Sequence, residues 1–142
     1  MSLLVNAQHN SNADLFQMEV VEYSYELDSK KPRYHILALQ NNTNKELTIN
    51  LSTIVDDTNG GDKKNNQNLI VDLLSEDLTQ SLNSISLRSK QLIKFKVKIV
   101  YHPNARLGSM NICTIIAKSS NNTDEKTLKI NANIPNPKTK GH

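Results

Sequence analysis

Lys94, Lys96 and Lys98 recur at every second position, with Arg88 and Lys90 just ahead of them, in a chain whose net charge is a modest +3. On a strand, residues spaced by two share one face. A row of cations there is the chemistry that binds an anionic glycan or an acidic partner. The same row also serves as a solvated strand face, or as a device that discourages edge pairing, and that plainer use is the favoured expectation. Nucleic acid is a poor partner, because aromatic residues make up 4% of the chain and none interleave with the lysines. Tyr23, Tyr25, Tyr34 and Tyr101 offer a second surface, a sugar-stacking platform. Tryptophan, the usual platform residue, is absent, and Tyr34 and Tyr101 fall at strand ends where half-burial is expected.

The remaining reactive residues lack the spacing that chemistry needs. His9, His35, His102 and His142 are scattered, and none stands at a metal-ligand interval from a cysteine or another histidine. Neither a metal nor a cofactor is expected. The run Asp56-Asp57-Thr58-Asn59-Gly60-Gly61-Asp62 is rich in oxygen, but it lacks the alternation and closing Glu of an EF-hand loop. It reads as a turn, in which Gly supplies positive φ and Asn tolerates it, with a loose calcium site as the alternative. Glu76 with Asp77, and Glu19 with Glu22, have no spacing that marks a glycosidase pair. No G-x-S-x-G elbow occurs. The N-x-S/T matches at Asn41, Asn50 and Asn121 matter only in a host that glycosylates such sites. The chain is therefore expected not to be an enzyme, and a small hydrolase is the least favoured reading.

The elements that position these residues are strands. From 93 to 101 the odd positions are Ile93, Phe95, Val97, Ile99 and Tyr101, with lysine between them. That period-two pattern predicts a strand with one buried and one wet face, which a parallel sheet covered on both sides would not tolerate. Residues 110–117 are apolar on both faces, as in a central strand. Leu128, Ile130, Ala132 and Ile134 alternate with Thr127, Lys129, Asn131 and Asn133, as in a half-buried one. Earlier strands are expected over 15–27 (broken near Glu22), 34–40, 47–53 and 68–74, with a short edge strand over 84–87. Residues 75–83 read as a short helix or a crossover. About seven strands in two sheets, with no long helix, predict an all-β sandwich. A domain of this size buries roughly two-thirds of its unfolded surface and needs no staples.

Leu87-Arg88-Ser89-Lys90-Gln91, followed by I-x-F-x-V-x-I, resembles the L-x-P-G-(Q/E) turn and strand of bacterial immunoglobulin-like domains. Pro103-Asn104-Ala105-Arg106-Leu107-Gly108 with Met110 and Ile112 resembles their P-x-x-A-x-x-G-x-Y-x-I segment. Asn41-Asn42-Thr43-Asn44-Lys45-Glu46-Leu47-Thr48 resembles their N-N-G-x-x-x-h-T bend. The likeness is to the domains that accompany α-galactosidases, and to fibronectin type III-like accessory domains. It covers residues 34–134. Ser89-Lys90 replaces the usual Pro-Gly, and Met110 an aromatic. The resemblance implies an immunoglobulin-like sandwich acting as a spacer, adhesion or accessory module, and it transfers no catalytic residues.

Leu3-Leu4-Val5-Asn6-Ala7-Gln8 reads as the end of a secretory signal, with Val5 and Ala7 at the −3 and −1 positions of a cleavage site. Residues 1–14 are thus expected to be a signal remnant and flexible N-terminus, 15–134 a single domain, and 135–142 a flexible tail ending in a cloning remnant. No stretch approaches the ~20 apolar residues of a membrane span. Cys113 is the only cysteine, so export without a disulfide points to a bacterial periplasm or surface. The expected function is a non-catalytic structural or interaction module with a protein or glycan partner. The alternatives are a carbohydrate-binding module, which needs an exposed Tyr cluster, and a periplasmic chaperone-like domain, which needs a long unpaired edge strand.

Overall fold

The computed structural model describes residues 14–24, 31–58, 68–120 and 124–135. Eight strands form: β1 (Phe16–Glu22), β2 (Arg33–Asn41), β3 (Leu47–Asp57), β4 (Leu69–Ser75), β5 (Ser84–Leu87), β6 (Leu92–Tyr101), β7 (Asn111–Ser119) and β8 (Glu125–Asn131). Every pairing is antiparallel. One sheet has the order β1-β2-β6-β4 and the other β5-β3-β7-β8, so the chain is a β-sandwich. Eight strands form where about seven are expected. The expected break in the first strand is a register shift between Val20 and Glu22.

The alternating residues meet between the sheets. Phe95, Val97 and Ile99 of β6 face Leu37 and Leu39 of β2 within one sheet, and Ile49, Cys113, Ile115 and Ile130 close from the other; all are buried. Each such aliphatic or aromatic side chain contributes roughly 1.5–3 kcal/mol relative to its exposure. Strand β7 is central, between β3 and β8, and β5 is an edge strand, as their patterns predict.

Residues 75–83 are a crossover and not a helix. Asp77 accepts hydrogen bonds from the hydroxyls of Ser75 and Thr79 and from the Thr79 amide. Leu78 takes the left-handed conformation at φ 66°. The Leu82 amide then donates to the Leu73 carbonyl at 2.8 Å. The chain thereby moves from β4 in one sheet to β5 in the other, and back again to β6.

Two of the sequence motifs meet at one end of the sandwich. The Asn41 side chain, wholly buried, donates to the carbonyls of Lys45, Leu87 and Arg88 and accepts from the amide and hydroxyl of Thr43. It joins the β2–β3 bend to the β5–β6 turn. In that turn Lys90 has φ 62°, the conformation that the glycine of the Pro-Gly pattern would adopt without strain. The third motif sits elsewhere: Gly108, at φ 80°, donates its amide to the Ile134 carbonyl at 2.9 Å.

Candidate functional site

The inward face of β2 changes character along its length. Leu39 and Leu37 are apolar, but the next two inward positions are His35 and Arg33, both buried. Arg33 is 7% exposed, and its guanidinium lies 5.0 Å from the centre of the Tyr101 ring. One of its N–H groups donates to the Tyr101 hydroxyl at 2.6 Å, and that hydroxyl donates to the Asn133 carbonyl at 2.7 Å. Tyr101 is thus used as a fixed, neutral partner for a cation.

His35 is 3% exposed. Its Nδ1 accepts from the Ser24 amide at 3.1 Å, which places the proton of the neutral ring on Nε2. That Nε2 is buried and has no hydrogen-bond partner among the described residues. Burial, and then the Arg33 charge, hold the imidazole down to about 4, so it is uncharged at neutral pH. The Tyr23 ring meets His35 edge-on at 5.9 Å and 81°. Lys129, Ile130 and Asn131 of β8 complete a cavity of about 540 Å³ whose other walls are Tyr23, Ser24, Arg33 and His35. Burial pushes the Tyr101 phenol up, against the opposing effect of Arg33.

The residues singled out in the sequence are distributed more widely. Lys94, Lys96 and Lys98 do share the outer face of β6, but β6 is flanked by β2 and β4, so they guard no edge. Lys96 stands between Ile36 and Leu74, and Lys98 between Tyr34 and Asp72. Long stems that cover apolar neighbours while the ammonium reaches water account for the half-burial of both. Arg88 and Lys90 lie on the turn before β6, at the end of the sheet. The Lys90 ammonium donates to the Asn42 carbonyl at 2.9 Å, and the Arg88 amide donates to the Gln91 side chain. The tyrosines form no single platform: Tyr34 is on the outer face, Tyr101 is inward, Tyr23 is exposed beside His35, and Tyr25 lies outside the described residues.

Asp57, read as a loop residue with a loose claim on calcium, ends β3 instead. Its carboxylate is held by Nε and Nη2 of Arg106 and by the Asn68 amide at 2.8 Å. Asn68 also donates to Asn111, whose own amide donates to Ser109 and to the Ala132 carbonyl. This buried network ties β3, β4, β7 and the β6–β7 loop. Asn59 to Asp62 lie outside the described residues. Among the described residues no three His, Cys, Asp or Glu side chains group as a metal site. Glu76 and Asp77 rim a groove of about 920 Å³ between β5 and β6, where its hydrogen bonds to Thr79 and Ser75 pull the Asp77 carboxyl down to about 2.

Arg33 and His35 were missed as a pair. The signal was parity: both share the inward register of Leu37 and Leu39, so polar residues occupy positions that the pattern reserves for the core.

No protein-family model and no curated protein matches this sequence. Solved structures do resemble it in shape. A FixG-related protein from Vibrio parahaemolyticus is 10% identical with a TM-score of 0.55, over 87% of this chain and 97% of that one. A family 123 glycoside hydrolase from Clostridium perfringens, studied for glycolipid glycan hydrolysis, is 9% identical with a TM-score of 0.62. That match covers 85% of this chain and 27% of the hydrolase. At such identities the likeness is one of fold, a two-sheet sandwich.

Proposed function

We propose that the chain is a non-catalytic interaction module of an exported bacterial protein, with an immunoglobulin-like sandwich as its frame. The observation that carries this reading is the use made of the polar side chains. Asn41, Asp57, Asn68, Arg106 and Asn111 are spent on joining loops to strands, and Asp77 on shaping a turn. The match to about a quarter of the Clostridium perfringens hydrolase agrees with a unit that also occurs inside larger proteins.

Carbohydrate binding is the second reading, favoured by the exposed Tyr23 ring beside the Arg33–His35 cavity. The chaperone reading has less support. A client strand would need a long open edge, but the outer strands β1, β4, β5 and β8 have at most seven residues each, and on β4 the Ser75 amide donates to the Gln80 carbonyl and the Leu82 amide to the Leu73 carbonyl. Assaying the purified chain against aryl glycosides, esters and phosphates tests the non-catalytic reading. Turnover that Arg33→Gln or His35→Asn abolishes, in a protein that stays folded, overturns it.

A further inference from the structure

We propose that the cavity between the start of β2 and β8 is a binding site for a small organic carboxylate, gripped by the Arg33 guanidinium and the Nε2–H of His35. Two separate observations point into the same space. Arg33 is a buried cation that donates to the neutral Tyr101, and among the described residues no carboxylate lies within ion-pairing distance of it. A buried charge normally has a counter-charge, because leaving water is costly without one. Among the described residues the buried N–H of His35 has nothing to donate to, in a class of groups that is nearly always satisfied.

Both side chains leave β2 on the same face two residues apart, and both line the cavity. Lys129 reaches it from the opposite sheet, and no Asp or Glu is among its described lining residues. Every charge among the described residues of the site is therefore positive. A guanidinium fork matches a carboxylate geometrically. One Nη is committed to Tyr101, which leaves other N–H groups for the ligand. Ile130 and the Tyr23 ring provide apolar wall, which suits an organic body better than an inorganic ion. The volume of about 540 Å³ is that of a small-molecule pocket and holds no macromolecule.

Among the described residues, the charged and titratable groups facing His35 are Arg33 on its own strand, Tyr23 beyond β1 and Lys129 on β8. A bound carboxylate would be the first anion among them. It favours the imidazolium, so binding tightens as the pH falls. A chain without this site remains an interaction module, and a chain with turnover keeps the site, so the two readings fail separately.

The test is a titration of the full chain, labelled with ¹⁵N-histidine, at constant ionic strength. Glucuronate, acetate, sulfate and chloride are added in turn while the His35 ring resonances are followed. Saturable shifts with glucuronate, and a rise of about one unit in the His35 midpoint, are expected. A matching response to acetate assigns the site to carboxylates generally, and a preference for glucuronate assigns it to sugar acids. Arg33→Gln should abolish the response. Lys129→Ala, at an exposed position that leaves the fold intact, should weaken it roughly threefold to tenfold. No saturation, an equal response to chloride or sulfate, or binding indifferent to both substitutions overturns the proposal. The β1–β2 connection carries Glu26 and Asp28, outside the described residues. A lower His35 midpoint in E26Q/D28N without added ligand would give the site to the chain's own carboxylate, and overturn it equally.

Discussion

Asn41 on β2 and Leu87 on β5 are 46 residues apart, and the side-chain amide of the first donates to the carbonyl of the second at 3.1 Å, wholly inside the protein. The two strands belong to different sheets, so this bond spans the sandwich at its end. The same amide also reaches the carbonyls of Arg88 and Lys45. Asn41→Leu removes every one of these donors, leaves buried carbonyls unpaired, and should cost about 3 kcal/mol or more. Urea denaturation checks this, and a midpoint unchanged from the parent would show that the bend and the turn hold without it.

Lys90 offers the opposite experiment. A side chain with a Cβ at φ 62° carries a penalty that glycine lacks. Its bond to the Asn42 carbonyl is exposed and contributes little. Lys90→Gly should therefore stabilise the chain by about 1 kcal/mol, discounted by the extra freedom that glycine gives the unfolded state. A loss of stability on the same denaturation curve would mean that the ammonium contact outweighs the backbone strain.

The sandwich was legible because β6 and β8 alternate strictly. Ile93 to Tyr101 and Thr127 to Ile134 announce their buried faces by period two alone, and β7 its central place by apolar residues on both. What stayed hidden depends on contacts across long stretches of chain. Asp57 looked like a loop residue because its partners, Asn68 and Arg106, lie 11 and 49 positions away. The lysines looked like an edge row because position in a sheet is not a local property; β6 is interior only since β2 and β4 flank it. His35 looked like a stray, and Arg33 gave no signal, because charged residues are expected to face water, whereas the parity of β2 turns both inward.

Arg106 tests the hidden network. Its side chain is 46% exposed while that of Asp57 is 7% exposed, so removing the arginine strands a largely buried carboxylate. Arg106→Ala should lower stability by about 1–3 kcal/mol, moderated because water can enter where the guanidinium leaves. Arg106→Ala combined with Asp57→Asn should recover part of that loss, since the charge then goes too. If the double variant is no better than the single one, the hydrogen bonds and not the charge carry the interaction.

His35 makes stability depend on pH in a defined window. Its folded value is lowered from 6.5 to about 4, so between those limits the unfolded chain binds more protons than the folded one. Stability from this group is complete above pH 6.5, falls as the pH drops toward 4, and levels off below. The full drop is at most about 3 kcal/mol, and less where solvent at the cavity mouth screens the ring. His35→Leu continues the apolar face of Leu37 and Leu39 and titrates no proton. The difference in stability between parent and variant, measured by urea denaturation from pH 7 to pH 4, isolates the histidine from the carboxylates that both proteins share. The parent should lose stability relative to the variant across that interval. A difference that stays constant with pH would mean that the folded chain already holds His35 near its ordinary value, and that the buried imidazole is better solvated than its 3% exposure implies.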